Sequence, residues 1–229
     1  MSPAVALWRL CLAPVADAGS WRRPDGLQCS GSLGEGACKI AYLAENKLTR
    51  EKVCLSIFRN IERPGFEKHD YESEIASGCT AFDHVNVLKT LDHGHANFSR
   101  VGQIDRKVYF IVTEFCVKGD LYDLVETLKG ANEPIAKLLF KQVLDGLSYL
   151  HTNGVAHLDM KLDNCFIDES MTVKVADFGF SEKFIGQSLT RKCGSEGKMA
   201  PELLAGGEYD GQAVDVFASG VLLFEMLTS

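Results

Sequence analysis

The sequence has no excess of basic residues. Its 24 lysines and arginines are outnumbered by 31 acidic residues, which gives a net charge of −7. A protein that binds nucleic acid over a broad surface needs positive charge facing the phosphates. We therefore expect no nucleic-acid partner. The acidic bias would suit a basic protein partner, although most acidic surfaces are simply solvated.

Closely spaced cysteine pairs are also absent. The eight cysteines are dispersed along the chain, and no two form a C-x-x-C pair. Most lie in apolar runs such as "KVCLSIF" and "TEFCV", which is typical of packed, reduced thiols. This pattern argues against a disulfide framework and against a zinc site, and it predicts a cytoplasmic protein.

The beginning of the chain lacks the pattern of a secretory signal or of a membrane span. Residues 1–27 are apolar at first, but Arg9 and Pro14 interrupt the run. We expect a disordered extension, with an organelle-targeting leader as the alternative, and no membrane partner. Residues 28–229 have ordinary globular composition without repeats. The sequence does not indicate an oligomeric state.

The apolar pattern changes from strand-like to helical near residue 115. "KIAYLA", "KVCLSIF" and "VYFIVTEF" are β-branched or aromatic runs, and "GFEKHDYESEIASGCTAF" between them predicts a helix. Further on, "NEPIAKLLFKQVLDGLSYLHTNG" predicts a long helix that begins near Asn132 and Pro134. A short β region, "TVKVADFG", follows, and "AVDVFASGVLLFEMLTS" is apolar enough that we expect a buried helix. The apolar stripe of the long helix is expected to contain Ile135, Leu139, Val143, Leu147 and Leu150.

Four short motifs follow one another along the chain: "LGEG" from Leu33, "HLDMKLDN" from His157, "DFG" from Asp177 and "APE" from Ala200. Glycines in the first would let backbone N–H groups approach phosphate oxygens, although G-x-G alone is a weak signal. In this order and spacing the set closely resembles the protein kinase family. The resemblance implies an α+β, two-lobed fold. It predicts a small antiparallel β lobe with one helix (28–115) and a larger, mainly α-helical lobe (116–229).

The resemblance also implies a reaction, the transfer of the γ-phosphate of ATP to a protein hydroxyl with the help of Mg²⁺. Asp159 would orient the substrate hydroxyl and accept its proton. Asn164 and Asp177 would hold magnesium, because hard cations prefer oxygen ligands. Lys161 would reach the γ-phosphate, and its spacing from the aspartate is the serine/threonine-kinase form. Taken singly, such residues could be turn caps.

Further positions are implied to contact the nucleotide. Thr113 would be the gatekeeper, and Asp120 would touch the ribose or a substrate arginine. Asp163 has a similar position, so the two acids suggest a basic substrate, unless both are merely solvated. The complete set expected to bind the nucleotide is Leu33, Gly34, Glu35, Gly36, Lys39, Ala41, Cys54, Ser56, Glu74, Thr113, Glu114, Cys116, Asp120 and Phe166.

One departure from the family decides how the site would work. The V-A-I-K tetrad reads Val53 to Ser56, so a serine stands where a lysine should grip the α- and β-phosphates. Lys39, at the third glycine of G-x-G-x-x-G, is similar in position to the catalytic lysine of the "with-no-lysine" kinases, which have a leucine where this chain keeps the phenylalanine of "DFG". We expect Lys39 to replace the missing lysine. The alternative is a pseudokinase that acts as a nucleotide- or protein-binding scaffold.

Glu74 is the expected carboxylate partner of that lysine, with Glu72 as the alternative. A second departure is Leu158, which replaces the arginine before the catalytic aspartate. A phosphate on Ser188 or Thr190 would therefore lack its usual cation, and activity should depend less on such phosphorylation.

Two more departures concern the end of the kinase-like region. Lys198 occupies a position where an aromatic residue is common, which affects the packing of the substrate groove. The chain stops soon after the apolar helix, and the arginine that usually pairs with Glu202 is missing. These features suggest a fragment or a truncated gene model.

Overall fold

The computed structural model describes residues 27–36, 38–58, 66–98, 106–184 and 186–228. The predicted extension lies outside these residues except for Leu27, which already belongs to the first strand. The chain divides into two compact units. One consists of Met1–Glu72 and Lys89–Phe115, and the other of Ser73–Leu88 and Cys116–Ser229.

The first unit contains a five-stranded antiparallel sheet, which agrees with the predicted β lobe. Three of its strands contain the β-branched and aromatic runs noted above. The spatial order is β1-β2-β3-β5-β4. The strands are β1 (Leu27–Glu35), β2 (Lys39–Asn46), β3 (Lys52–Phe58), β4 (Thr90–Phe98) and β5 (Arg106–Glu114).

The register between β2 and β3 shows which side chains lie on each face of this sheet. Side chains alternate between faces along each strand, so directly opposite residues share a face. One face carries the apolar core of the unit, which includes Leu27, Ala44, Val53, Leu55, Phe110 and Val112. The other, which we call the Lys39 face, carries the opposed pairs Lys39–Phe58, Ala41–Ser56 and Leu43–Cys54.

Helix α1 (Phe66–Ala76) lies where a helix was predicted, but it ends sooner. The predicted segment continued to Phe82. Instead, Gly78 has a φ of 91°, in the left-handed region that favours glycine, and the chain leaves the helix there. Cys79–Ala81 then form a single 3-10 turn.

The second unit is mainly helical, as the kinase resemblance implied. Its short strands form two antiparallel pairs, β6 with β9 and β7 with β8. The helices are α2 (Leu121–Leu128), α3 (Glu133–Thr152), α4 (Pro201–Ala205) and α5 (Gly211–Thr228). The strands are β6 (Val155–Ala156), β7 (Cys165–Ile167), β8 (Val173–Val175) and β9 (Glu182–Lys183).

The unit boundary at Phe115 and Cys116 coincides with the change of pattern in the sequence. Residues 73–88, however, belong to the second unit, although the sequence placed them in the first lobe. The reason is packing: Cys79, Phe82 and Val87 are buried in the main apolar core of the second unit.

Helix α3 begins as predicted, with Asn132 as its N-cap. The Asn132 side chain accepts a hydrogen bond from the N–H of Ile135, and Pro134 follows in the first turn. The predicted stripe needs one correction. Ile135 is 37% exposed, whereas the smaller Ala136 is buried. The other four stripe residues are buried as expected: Leu139, Val143, Leu147 and Leu150.

Helix α5 is buried on one face only, so the expectation of a fully buried helix is wrong for the part of the chain described. Val216 and Phe224 are more than 60% exposed. The length and hydropathy of this helix would also suit a membrane span, but such evidence is weak, because core helices pass the same test. Its inner face carries Val214, Asp215, Ala218, Ser219, Leu222 and Met226.

Two helical glycines provide a test of this packing. A Cβ at Gly146 of α3 would lie 2.4 Å from the carbonyl oxygen of Asn86, whereas a Cβ at Gly220 of α5 would meet no described atom within 4 Å. Gly146→Ala should therefore destabilise the protein by about 1–3 kcal/mol through overpacking. Gly220→Ala should stabilise it by up to about 1 kcal/mol through helix propensity. Urea unfolding measures both, and shifts of the same sign would contradict the packing described.

Candidate functional site

A buried aspartate of α5 holds the loop that contains the "HLDMKLDN" motif. Asp215 is 1% exposed, and its carboxylate accepts hydrogen bonds from the backbone N–H groups of His157 and Leu158, each at 2.7 Å. The Nε2 atom of His151 lies 2.8 Å from the same carboxylate. The backbone at Leu158 has a φ of 65°, which is unusual for a branched residue. The bonds to Asp215 stabilise this conformation.

The two carboxylate oxygens of Asp159, in this loop, have different surroundings. Oδ2 accepts a hydrogen bond from the Asn164 side chain at 3.0 Å and lies 3.0 Å from the Lys161 ammonium. That ammonium also donates to the Ser195 hydroxyl at 2.7 Å. Oδ1 is buried and accepts no hydrogen bond from the residues that the structure describes. An unsatisfied buried carboxylate oxygen is costly, and a substrate hydroxyl could satisfy it.

The backbone brings the two predicted metal ligands, Asn164 and Asp177, near each other. The N–H of Ala176, the residue before Asp177, donates to the Asn164 carbonyl at 2.9 Å. The side-chain nitrogen of Asn164 donates two hydrogen bonds to Asp159, one to the carboxylate and one to the backbone carbonyl at 2.8 Å. Its amide oxygen therefore remains as an acceptor. An amide oxygen and a carboxylate are hard ligands, so the residues fit Mg²⁺.

Glu74, rather than the alternative Glu72, is the acid near the "DFG" motif. A Cβ at Gly179 would lie 3.4 Å from Asp177 Oδ1 and 4.0 Å from Glu74 Oε2. Glu74 is 6% exposed, whereas Glu72 is exposed to solvent. Its pairing with Lys39 stays a prediction.

The Lys39 face of the first unit carries both Lys39 and Ser56, the position where the family's lysine is missing. Ser56 shares this face with Lys39, and its hydroxyl lies 4.0 Å from the Cys54 sulfur. Burial raises the pKa of the Cys54 thiol, while its hydrogen bond with Ser56 and the positive charge of Lys39 oppose that rise. The positive charge of Lys39 on β2 therefore acts on the Cys54 thiol of the neighbouring strand β3. Thr113 lies opposite Cys54 on β5, and Ala41 lies opposite Ser56.

The glycine motif lies at the end of β1. Leu33, Gly34 and Glu35 belong to that strand, and the N–H of Gly36 donates to the Lys39 carbonyl at 2.9 Å. A Cβ at Gly34 would meet no described atom within 4 Å. Packing within the described residues therefore does not explain the glycine at this position. A phosphate that approaches the backbone closely would require it, because a side chain would be in the way.

The residues predicted to contact the nucleotide are distributed over both units. In the first unit, the Glu114 side chain accepts a hydrogen bond from the N–H of Lys89 at 2.9 Å. In the second, Cys116 is buried, and Asp120 and Phe166 form an isolated antiparallel bridge. Asp120 and Phe166 are thus neighbours in the second unit. Their contact with a nucleotide stays a prediction.

Asp120 also caps α2, since its side chain accepts a hydrogen bond from the N–H of Asp123 at 2.9 Å. Burial raises the pKa of Asp120 to about 6. The negative charges of Asp123 and Asp163 add to this rise, although hydrogen bonds to the backbone oppose it.

Leu158 is buried where the family usually has an arginine. It packs against the segment from Asp177 to Glu202, which we call the activation segment. Ser188 and Thr190 of that segment are exposed. Apolar packing holds this segment to the loop. The expected weak dependence on phosphorylation stays a prediction. The cluster contains Ala156, Leu158, Leu189, Cys193, Ala200, Leu203, Tyr209 and Val214.

Lys198, at the position where an aromatic residue is common in the family, forms an ion pair with Glu225 of α5.

Sequence reasoning missed Asp215 and Ser195 of the second unit and Phe58 of the first unit. Asp215 could have been found, because a lone acid in the apolar run "AVDVFASG" must acquire partners if it is buried. Ser195 and Phe58 carry no local signal, since their importance comes from contacts with Lys161 and Lys39, which are distant in sequence.

Comparison with known proteins places this geometry in context. The family model described as protein kinase domain matches residues 27–229. The chain is similar to the SNF-related serine/threonine-protein kinase of Rattus norvegicus, with 35% identity over 202 residues, covering 86% of this chain and 25% of that protein. It is also similar to the maternal embryonic leucine zipper kinase of Danio rerio, with 32% identity over 200 residues (86% and 28%).

A third relative is the serine/threonine-protein kinase SIK3 homolog of Danio rerio, with 30% identity over 219 residues (95% of this chain and 17% of that protein). The chain spans between 17% and 31% of the length of the curated relatives it matches.

The raised pKa of Asp120 should make stability depend on pH. With a folded pKa of about 6, the carboxyl keeps its proton where the unfolded chain, with a pKa of about 3.9, has lost it. The contribution of this group to stability is therefore fully present below about pH 4 and is lost as the pH rises through 6. Asp120→Asn retains a good N-cap but does not titrate. Urea unfolding at pH 4 to 7 should show the variant gaining stability relative to the native protein, and parallel profiles would contradict the shift.

Proposed function

The chain belongs to the protein kinase family, and from this premise we propose that it transfers the γ-phosphate of ATP to serine or threonine hydroxyls of a protein substrate. The observation that carries this proposal is the asymmetric environment of Asp159. One carboxylate oxygen is held by Lys161 and Asn164, while the other is buried without a described hydrogen-bond donor.

Asp159 is the proposed base. The two donors to Oδ2 fix the orientation of the carboxylate, which leaves Oδ1 to accept the proton of the substrate hydroxyl. Because Oδ1 is buried and accepts no hydrogen bond from the described residues, the substrate hydroxyl could bind it without displacing one of their donors. This arrangement supports orientation of the hydroxyl toward a phosphate, which is the main demand of phosphoryl transfer.

Asn164 and Asp177 are the proposed magnesium ligands. When bound, Mg²⁺ would supply positive charge to the phosphate oxygens of ATP. The chain's own contribution is to present an amide oxygen and a carboxylate, with the amide held by Asp159. Lys161 is the proposed partner of the γ-phosphate, and the Ser195 hydroxyl holds its ammonium near Asp159.

Lys39 is the proposed substitute for the absent strand-β3 lysine. Ser56 is uncharged and too short to reach a phosphate, but Lys39 projects from the neighbouring strand onto the same face of the sheet. Glu74 is its proposed carboxylate partner. The proposed nucleotide contacts otherwise remain those predicted from the sequence.

We also propose a basic, hydroxyl-bearing protein substrate and a cytoplasmic location. Relatives named serine/threonine-protein kinases support a hydroxyl-bearing protein substrate, and Asp120 with Asp163 supports a basic one. Cys54, Cys165 and Cys193 are thiols outside any disulfide, which supports a reducing compartment such as the cytoplasm.

A pseudokinase scaffold is the second candidate, and Ser56 is the observation that favours it. A scaffold would bind its partner equally well with Asp159→Asn, and the native protein would transfer no phosphate.

Replacement of the proposed lysine tests the function directly. Lys39→Ala should lower the rate of phosphate transfer about 100-fold or more, because it removes a cation that stabilises charge on the phosphates. Lys52→Ala removes an exposed lysine of β3 and serves as the matched control. Transfer of labelled phosphate from ATP to a mixed peptide library measures both variants.

The same assay can also test whether a second substitution rescues the activity of Lys39→Ala. Adding Ser56→Lys to Lys39→Ala returns a lysine to β3 and should restore part of the activity. Equal rates for Lys39→Ala and Lys52→Ala would show that Lys39 does not take part.

A further inference from the structure

Lys39 contacts the ring of Phe58, the residue directly opposite it on β3. Its Nζ atom lies 5.8 Å from the ring centroid, within the range of about 6 Å for a cation–π interaction. The two residues are paired in the register of the sheet. The backbone therefore brings the ammonium and the ring together.

Aromatic neighbours hold the ring of Phe58 in place. Phe58 is 3% exposed, and the ring of Tyr71 from α1 packs edge-on against it, with centroids 5.6 Å apart and an interplanar angle of 84°. Tyr71 also packs against Tyr109 at 4.9 Å, and its hydroxyl lies 2.9 Å from Nδ1 of His93. These contacts restrict the ring, so its face is a preorganised surface for a cation.

A relocated lysine needs such a surface. The lysine side chain is a flexible four-carbon stem with a strongly hydrated ammonium, and it samples many rotamers in water. Contact with Phe58 favours the rotamers that keep the ammonium on the Lys39 face, where Ser56 and Cys54 also lie. The influence of the Lys39 charge on the Cys54 thiol agrees with that placement.

We propose that Phe58 is the positioning residue for Lys39: its ring holds the ammonium on the Lys39 face, where it can bind nucleotide phosphates. This inference rests on the proposed function, in which Lys39 makes that contact. It also involves α1, because Tyr71 supports the ring.

The position of the ammonium can be measured without any activity. In protein with isotope-labelled lysine, the ε-methylene protons of Lys39 should resonate upfield, because the adjoining Nζ atom lies over the Phe58 ring. Phe58→Leu should abolish this ring-current shift. Phe110→Leu makes the same change at a residue of equal burial on the opposite face of the sheet, and it should leave the shift unchanged. An unchanged Lys39 signal in Phe58→Leu would overturn the proposal.

A double-mutant cycle tests whether the contact serves nucleotide binding. Phe58→Leu should weaken the affinity for Mg²⁺–ATP by about 2- to 30-fold, the range expected for a cation–π contact. In the Lys39→Ala background, the same change should have no further effect. If Phe58→Leu weakens binding equally in both backgrounds, Phe58 is only a core residue and the proposal is wrong. Replacing Phe58 with pentafluorophenylalanine keeps its size but reverses the charge of the ring face, so the cycle can be run without creating a cavity.

Failure of this inference and failure of the proposed function give different results. If Lys39→Ala leaves phosphate transfer unchanged, the proposed function is wrong whatever the NMR signal shows. If Lys39→Ala is impaired but the Lys39 signal is the same in native protein and Phe58→Leu, the function stands and the role of Phe58 does not.

Discussion

The antiparallel register of β2 and β3 is the constraint on which the proposed site depends. It places Lys39 opposite Phe58 and Ala41 opposite Ser56, so the only charged side chain among these four lies on the same face as the serine. Because side chains alternate along a strand, a slip of one residue would turn Lys39 toward the apolar core of the unit. The buried residues of that core, among them Leu55 and Val112, make such a slip unfavourable.

The second unit depends on a different kind of constraint, a buried charge with several partners. Asp215 takes two backbone hydrogen bonds from the loop before Asp159 and lies beside His151. A buried carboxylate is stable only when it is paired or hydrogen-bonded, so α5 and the loop are held together by the need to satisfy it. Leu158 adds apolar packing against the activation segment. Asp159 thus lies on a loop that is held by Asp215 and by the activation segment.

Local signals in the sequence predicted much of this structure. Most of the features that could not be predicted depend on contacts between residues that are distant in sequence. Asn132 and Pro134 marked the start of α3 because capping is a local interaction. The exposure of Ile135 could not be read from periodicity, because it depends on which elements reach the first turn of the helix. The contact between Lys39 and Phe58 could not be predicted from the sequence either, because it depends on the register of two strands and on the placement of Tyr71. Motif spacing identified the family and the positions of Asp159, Asn164 and Asp177, but the contacts of Asp159 required coordinates.

The central claim is that the Lys39 ammonium contacts the phosphates of ATP, and affinity labelling measures this most directly. An ATP derivative that carries an acyl group on its γ-phosphate acylates a lysine amine held next to the phosphates and releases ATP. Mass spectrometry of the labelled protein should find the acyl group on Lys39 as well as on Lys161, the proposed partner of the γ-phosphate, and excess Mg²⁺–ATP should prevent both attachments. Labelling of other lysines with Lys39 unmodified, or labelling of Lys39 that ATP does not suppress, would contradict the claim.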